Sequence, residues 1–432
     1  MSIKVTLLGS AVSHWGEDPW ARGSWSLIGR HGSPQDRIAL GRPVSDRLWI
    51  AGEATHPTRA GMTHGAFEQG RAAAAEAIER GHATVVVVGA GMAGLGAAGL
   101  LAEHALEAEI WEARDRIGGR TAGVEVAGGA FDLGANWLQQ YDENVLARLA
   151  ERFGLRTFVT DFDDPAVLTG EPFPGGLEDD LRKRLAAAAP DASLADVLDD
   201  WLRDPAPWSP AEIHRFVDAE IVMDTGAPLS WLSARHGFEP GVGEGDRWIA
   251  GGYRRLTEHL AKGLRILLNR PAAGILIADD GVTVSGDDPE GGQWSRNADA
   301  VIVTAPLPVL AAGAITFDPP LPEPHRAALT RLGAGRVEKV ILRFDRRFWP
   351  EHGYYRVHGP AQTCISEWLD ATAADGTPTL VGLFAGDWLG TLWTGTDAEI
   401  ATRVAGIFRN AVAESQAVHC RPPAPPTPPG TR

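Results

Sequence analysis

Residues 84–120 read T-V-V-V-V-G-A-G-M-A-G-L-G-A-A-G-L-L-A-E-H-A-L-E-A-E-I-W-E-A-R-D-R-I-G-G-R. The β-branched run 85–88 is long enough for a buried strand and too short for a core helix. Gly89, Gly91 and Gly94 then set G-x-G-x-x-G at the strand's end. Ala97, Ala98, Leu100 and Leu101 continue as a helix with a small-residue face. Residues 108–111 read as a second strand, and Glu112 closes it eighteen residues after Gly94. Strand, glycine turn, helix, strand and acid in this order form the βαβ dinucleotide fingerprint. Gly89 permits the tight turn, Gly91 lets backbone approach a pyrophosphate, and Gly94 lets helix and strand pack closely. The helix N-terminus, at Met92 and Ala93, offers amide N–H groups and a positive dipole end to the phosphates. Glu112 is placed to accept hydrogen bonds from ribose hydroxyls.

The rest of the chain bounds the reading. Its 432 residues suffice for two or three domains, and 44% hydrophobic with 22% charged residues describes a globular protein. A formal charge of −16 argues against nucleic acid and anionic membranes as partners. It is compatible with a cationic substrate. Two cysteines, Cys364 and Cys420, offer no disulfide framework and no metal-site spacing. No signal peptide or transmembrane helix is expected, and the cytoplasm is the expected compartment.

After Glu112 the chain continues A-R-D-R-I-G-G-R-T, and residues 131–137 read F-D-L-G-A-N-W. Together these resemble the flavin-containing amine oxidases of the monoamine and polyamine oxidase kind. The resemblance implies FAD, held without a covalent bond. It places Ala113, Arg114, Gly119 and Arg120 along the flavin and pyrophosphate, and Gly134, Ala135, Asn136 and Trp137 near the isoalloxazine. Ala272 stands where the family contacts adenine through backbone. The implied fold is α/β: a Rossmann-like FAD-binding domain plus an α+β substrate-binding domain, an architecture like that of the glucose-methanol-choline enzymes.

Residues 46–71, D-R-L-W-I-A-G-E-A-T-H-P-T-R-A-G-M-T-H-G-A-F-E-Q-G-R, read as a strand over 47–51, a turn at Gly52 and Glu53, and an alanine-rich helix over 66–78. This resembles the family's C-terminal segment, whose helix points its N-terminus at the flavin. The resemblance therefore sets Gly52, Glu53, Met62 and Thr63 beside the cofactor. Here the segment precedes the βαβ unit, joined by residues 80–83, which implies a circular permutation. The expected FAD domain is 46–160 with 245–306. The substrate domain is 161–244, with 1–45 and 307–415. The proline-rich residues 421–432 are expected to be a disordered tail.

Candidate chemistry centres on V-E-K-V-I-L-R-F-D-R-R-F-W-P, residues 337–350. Alternation puts Val337, Lys339 and Ile341 on one strand face, so Lys339 is expected to be partly buried. The resemblance makes it the lysine that holds a water near flavin N5; a structural lysine snorkelling to solvent is the alternative. Trp25 matches an aromatic of the family's substrate cavity, with core packing as an equal reading. Met62 and Gln139 stand where polyamine oxidases carry a tyrosine and a carboxylate. A hydrophobic or singly charged amine is therefore expected to outperform spermine. Arg59 is a candidate for binding a substrate carboxylate. His64 reads as a structural histidine.

The family implies an oxidase that converts an amine to an imine, hydrolysed by water, while O2 becomes hydrogen peroxide. An L-amino-acid oxidase or flavin desaturase on the same fold is the first alternative, and a non-catalytic flavoprotein the second. The expected partners are a small-molecule amine and O2. No metal is expected.

Overall fold

The computed structural model describes residues 5–170, 173–239, 245–287, 292–358 and 364–419. The expected tail at 421–432 and Cys420 lie outside the described residues. Among the described residues no helix is long and apolar enough to cross a membrane.

A five-stranded sheet carries the glycine fingerprint. Its order is Arg265–Leu267, Glu107–Trp111, Thr84–Val88, Ala300–Val303 and Leu48–Ile50, every pairing parallel. The run of valines is explained by this setting, because a parallel sheet is covered on both faces. Val85 and Val87 pack with Leu95, Ala98 and Leu101 of the helix Met92–Glu103 and with Ala74 and Ala77 of the helix Thr63–Glu79. Val86 and Val88 face the other way, onto Ile275, Val282 and Val284 of a four-stranded sheet spanning Gly274–Ala278, Gly281–Asp287, Gln293–Ala298 and Thr316–Asp318.

The N-terminal segment is part of this unit. Leu48–Ile50 is the edge strand beside Ala300–Val303. The helix Thr63–Glu79 lies against Met92–Glu103 at a distance only small residues allow. A Cβ on Gly70 would sit 1.9 Å from the Ala93 carbonyl oxygen, and one on Gly96 2.7 Å from that of Phe67.

The second large sheet has six strands, in the order Leu7–Val12, Val337–Phe344, Thr379–Ala385, Ser366–Asp370, Tyr354–Val357 and Ala166–Thr169. Val340, Leu342 and Phe344 turn to the long helix Asp397–His419, meeting Ile400, Val404 and Phe408. Val337, Lys339 and Ile341 turn the other way, as strand alternation requires. Every residue of Val337–Phe344 is buried, because the strand is interior to the sheet. A helical layer from Leu177–Ala187 to Met223–Thr225 forms the remaining wall, built on Leu181, Trp201, Ile213 and Phe216.

Two expectations need correction. The sequence of residues 3–8, I-K-V-T-L-L, reads as a strand, but the strand runs over Leu7–Val12, where pairing with Val337–Phe344 draws Gly9 and Ser10 into the ladder despite the weak strand preference of glycine. The domain boundaries also move. Leu40, expected with the substrate domain, packs under the nucleotide sheet, as do Leu307, Leu310, Ile315, Leu321 and Ala328. The chain returns to the six-stranded sheet only at Val337.

The contact at Gly70 is testable. Gly70→Ala drives a methyl group into backbone, so it should destabilise by about 3 kcal/mol or more, at the top of the overpacking range. Gly99, in the same pair of helices, has nothing within 4 Å of an added Cβ. Gly99→Ala should stabilise by roughly 0.5–1 kcal/mol. Thermal unfolding of both variants checks this; equal melting temperatures would show that the helices separate at no cost.

Candidate active site

Between the two large sheets lies a cavity of about 990 Å³, at the upper end of the ~300–1,000 Å³ usual for ligand sites. One end begins at the glycine turn. Gly89 has φ +104°, and its position would bring a Cβ to 2.6 Å from Thr304 Oγ1. Gly94 does not line the cavity. Its Cβ would stand 1.8 Å from the Gly89 carbonyl oxygen, so its absence lets the helix start this close to the strand. Gly91 differs: nothing lies within 4 Å of its Cβ position, which opens onto the cavity beside Met92 and Ala93. The carboxylate of Glu112, buried at the strand end, accepts from the N–H groups of Ala90 (2.8 Å) and Arg114 (2.9 Å). Ala113, Arg114 and Ala272 line the same end.

Further along, the turn at Gly118 and Gly119, both with positive φ, brings Arg120 to the cavity wall. Arg120 meets Glu53 at 3.0 Å and donates to the Ser24 carbonyl at 2.7 Å. The other Glu53 oxygen accepts from Ser26 Oγ (2.5 Å) and the Gly61 N–H (2.8 Å). Burial alone would raise the Glu53 carboxyl, but Arg120, Ser26, Arg37 and the Gly61 N–H outweigh it and hold the group below its ordinary value. Gly52, Met62 and Thr63 line the wall beside it, so the N-terminus of the helix Thr63–Glu79 points into the cavity.

Lys339 comes from the facing sheet. It is 7% exposed and lines the cavity. Its ammonium donates to the Gly134 carbonyl and to Asn136 Oδ1, and lies 5.5 Å from the centre of the Trp137 ring. Burial drives the Lys339 ammonium down, against the pull of Asp132, whose carboxyl burial in turn drives up. Asp132 accepts from the Tyr253 N–H at 2.9 and 3.1 Å. The Tyr253 hydroxyl lies 2.8 Å from Thr63 Oγ1 and donates to the Trp137 carbonyl at 2.8 Å. One tyrosine thus ties the helix N-terminus to the segment that holds Lys339.

Ala135, Trp25 and Gln139 also line the cavity. Arg59 does not. Its guanidinium pairs with Glu68 (3.1 Å) and Glu143 (3.2 Å), away from the cavity, which corrects its expected place as a carboxylate clamp. His64 is fully buried between Gln140 Oε1 (3.0 Å) and Asn144 Nδ2 (3.2 Å), and burial lowers its basicity.

Several cavity residues escaped the sequence reading. Phe162 and Tyr354 stack edge-on with Trp137, at 5.2 and 6.3 Å. Arg356 bridges Glu220 (3.0 Å) and Glu367 (3.2 Å), while Tyr354 donates to Glu367 at 2.6 Å. Asp224 is exposed to the cavity, with no hydrogen-bond or ion-pair partner among the described residues; the surrounding protein, which takes the place of bulk water, and the nearby Glu367, Glu220 and Glu239 push its carboxyl up to about 7. The cross-strand pair Arg356 with Glu367 was a signal available in advance, once the strands Tyr354–Val357 and Ser366–Asp370 had been paired.

The residues present fit FAD. Gly91 leaves the space a pyrophosphate needs, and Glu112 and Ala272 border the adenosine end. The helix N-terminus at Thr63 and the wall at Lys339 enclose the opposite end, where a flavin ring fits. Cys364, the cysteine among the described residues, does not line the cavity.

The family model for flavin containing amine oxidoreductases matches residues 6–78 and 229–422, and that for NAD(P)-binding Rossmann-like domains matches residues 87–153. Probable polyamine oxidase 4 of Arabidopsis thaliana is 30% identical over 343 residues, covering 70% of this chain and 66% of that protein. Polyamine oxidase 4 of Oryza sativa subsp. japonica is 29% identical over 332 residues, with 70% and 67% covered. The chain therefore spans about two thirds of the length of these relatives. A solved structure of wild-type putrescine oxidase bound to putrescine shares the fold, with a TM-score of 0.61 at 24% identity over 77% of this chain and 82% of that one. With its family model matched over more than half the chain, and a cavity built to take FAD, this protein belongs to the flavin containing amine oxidoreductases and uses FAD as its cofactor.

Proposed function

We propose that the protein is an FAD-dependent oxidase that converts an amine to an imine, with O2 as electron acceptor and hydrogen peroxide as product. The observation that carries this is Lys339, buried on the wall that faces the cofactor end of the cavity. When bound, the flavin supplies the two-electron redox chemistry. Gly91, Met92 and Ala93 would hold the pyrophosphate, Glu112 and Arg114 the ribose, and Gly52, Met62 and Thr63 the pyrimidine side of the ring. Gly119, Arg120, Gly134, Ala135 and Asn136 complete the bed, bound non-covalently.

Protein groups then set the conditions for the substrate. A neutral Lys339 amine has two N–H groups, matched by the Gly134 carbonyl and Asn136 Oδ1, and keeps a lone pair to hold a water proton. Trp25, Trp137, Phe162 and Tyr354 exclude water and favour the neutral form of the reacting amine. Glu220 and Glu367, with Arg356 as their shared counter-ion, and Asp224, which has no ion-pair partner among the described residues, put three carboxyl groups on another part of the cavity. The expectation of a hydrophobic or singly charged amine rested on Met62 and Gln139 alone. Carboxylates supplied by other segments support an amine with more than one positive charge, the class named in the polyamine oxidase relatives. The amino-acid oxidase reading loses its carboxylate clamp with Arg59.

The permuted element order is part of the proposal. The helix Asp397–His419 runs antiparallel to Leu7–Val12: Asp397 meets His14 at 2.8 Å, while Arg409 lies 5.6 Å from the Phe344 ring, whose residue pairs with Leu7. The late helix thus passes the start of the first strand at Arg409 and runs ten residues further, to His419. Joining them and opening residues 80–83 would give a chain that begins with the βαβ unit. Two cysteines in 432 residues support a reducing compartment, and with it the cytoplasm.

Gly91→Ala places a methyl group in space that only the cofactor would fill. Holoprotein yield should fall and the Kd for added FAD should rise about tenfold or more, near 1.4 kcal/mol, while the fold is kept. Full FAD occupancy would move the pyrophosphate elsewhere. Lys339→Met keeps length and apolar fit. It should retain FAD yet slow flavin reduction or reoxidation by roughly 10²–10³, read by anaerobic and aerobic stopped flow. Unchanged rates in both would leave Lys339 structural. A re-ordered gene, starting at Ala83 with residues 5–79 linked after residue 419, should give soluble, yellow, peroxide-forming protein. Insoluble or colourless product would count against the permutation.

A further inference from the structure

Asp246 stands directly before the strand Arg247–Ile249, which pairs Arg247 with Leu138 and Trp248 with Trp137. That register carries Asp246 to the end of the Trp137–Leu138 strand, next to Gln139 and Gln140. Gln140 turns there with φ +51°, and its N–H donates to Asp246 Oδ1 at 3.0 Å. Asp246 is 4% exposed and lines the same cavity as Gln139 and Lys339.

No cation answers this carboxylate among the described residues. Arg247, next to it in sequence, lies over the Tyr141 ring at 4.2 Å. Arg59 is engaged by Glu68 and Glu143, and His64 bonds the side chain of Gln140 rather than Asp246. Among the described residues, Oδ2 has no partner. Capping one N–H needs only an acceptor, which asparagine would supply without the desolvation cost of a charge. A carboxylate retained here, on a ligand cavity, is explained by a ligand that brings the positive charge.

Resting on the amine reading above, we propose that Asp246 binds a non-reacting ammonium of the substrate, taking over the place of the carboxylate that is absent at Gln139. The acid comes from a different strand, so the cavity keeps its charge on this wall although position 139 is neutral. The substrate then spans from the Lys339 face to Asp246 and carries at least one ammonium besides the reacting amine.

The test compares spermidine and putrescine with butylamine on the FAD-loaded protein. Binding is followed by the change in flavin absorbance under anaerobic conditions, and turnover by peroxide. Asp246→Asn keeps the acceptor for Gln140 and removes the charge. It should raise the Kd and KM for spermidine or putrescine about tenfold or more, with butylamine changed far less and kcat little altered. Asp246→Glu should recover part of the loss, which a merely structural role would not produce. Equal losses for the mono- and polyamines, or none for the polyamines, would overturn the assignment, as would wild-type protein that binds none of them. Polyamine binding that depends on Asp246 but yields no peroxide would instead overturn the oxidase reading and leave this one standing.

Discussion

A buried carboxylate holds the centre of this structure together. Glu53 accepts from Ser26 and Gly61 on the N-terminal segment and from Arg120 on the turn that follows the βαβ unit. A charge taken out of water is costly unless donors surround it, and here they do. Arg37, itself fully buried, extends the network through Ser26 Oγ and the Ser26 carbonyl. Segments far apart in sequence are thus fastened where the cofactor fits. Removing Glu53 would leave Arg120 partly unpaired and free the loop that carries Trp25.

Close approach is the second constraint. Gly70, Gly94 and Gly134 all stand where a Cβ would meet a backbone carbonyl oxygen at 1.9 Å or nearer. Each brings backbone to backbone: helix to helix, helix to strand, and the Gly134 segment to Arg120. Gly91 has the opposite surroundings, with open space in place of a neighbour. The contrast separates glycines that serve the fold from one that serves a ligand. It also explains why the N-terminal segment is inseparable from the nucleotide unit even though it lies before it in the chain.

The cavity itself divides into two electrostatic regions. Around Lys339 the surroundings are aromatic, and burial shifts both Lys339 and Asp132 toward their neutral forms. Elsewhere on the walls Glu220, Asp224, Glu367 and Asp246 outnumber their cations. A molecule with a reactive neutral amine and a charged remainder satisfies both regions at once.

The βαβ unit, the strand of Lys339 and the helix that begins T-H-G-A were legible because each is local: a glycine spacing, a period of two and an alanine-rich run need no distant partner. The family resemblance that these motifs carry set Glu53, Arg120, Gly134 and Trp137 together, and all four line the cavity. The substrate walls were not legible. Arg59 looked free in sequence, yet Glu68 and Glu143 hold it away from the cavity. Gln139 looked like a lost charge, yet Asp246 lies beside it through strand pairing. Sequence alone determined the nucleotide-binding architecture, since close backbone packing leaves glycine as its trace. Only the tertiary structure decided the charge of the substrate cavity, because that charge is a sum over side chains from distant segments, and Coulomb interaction depends on their separation in space rather than along the chain.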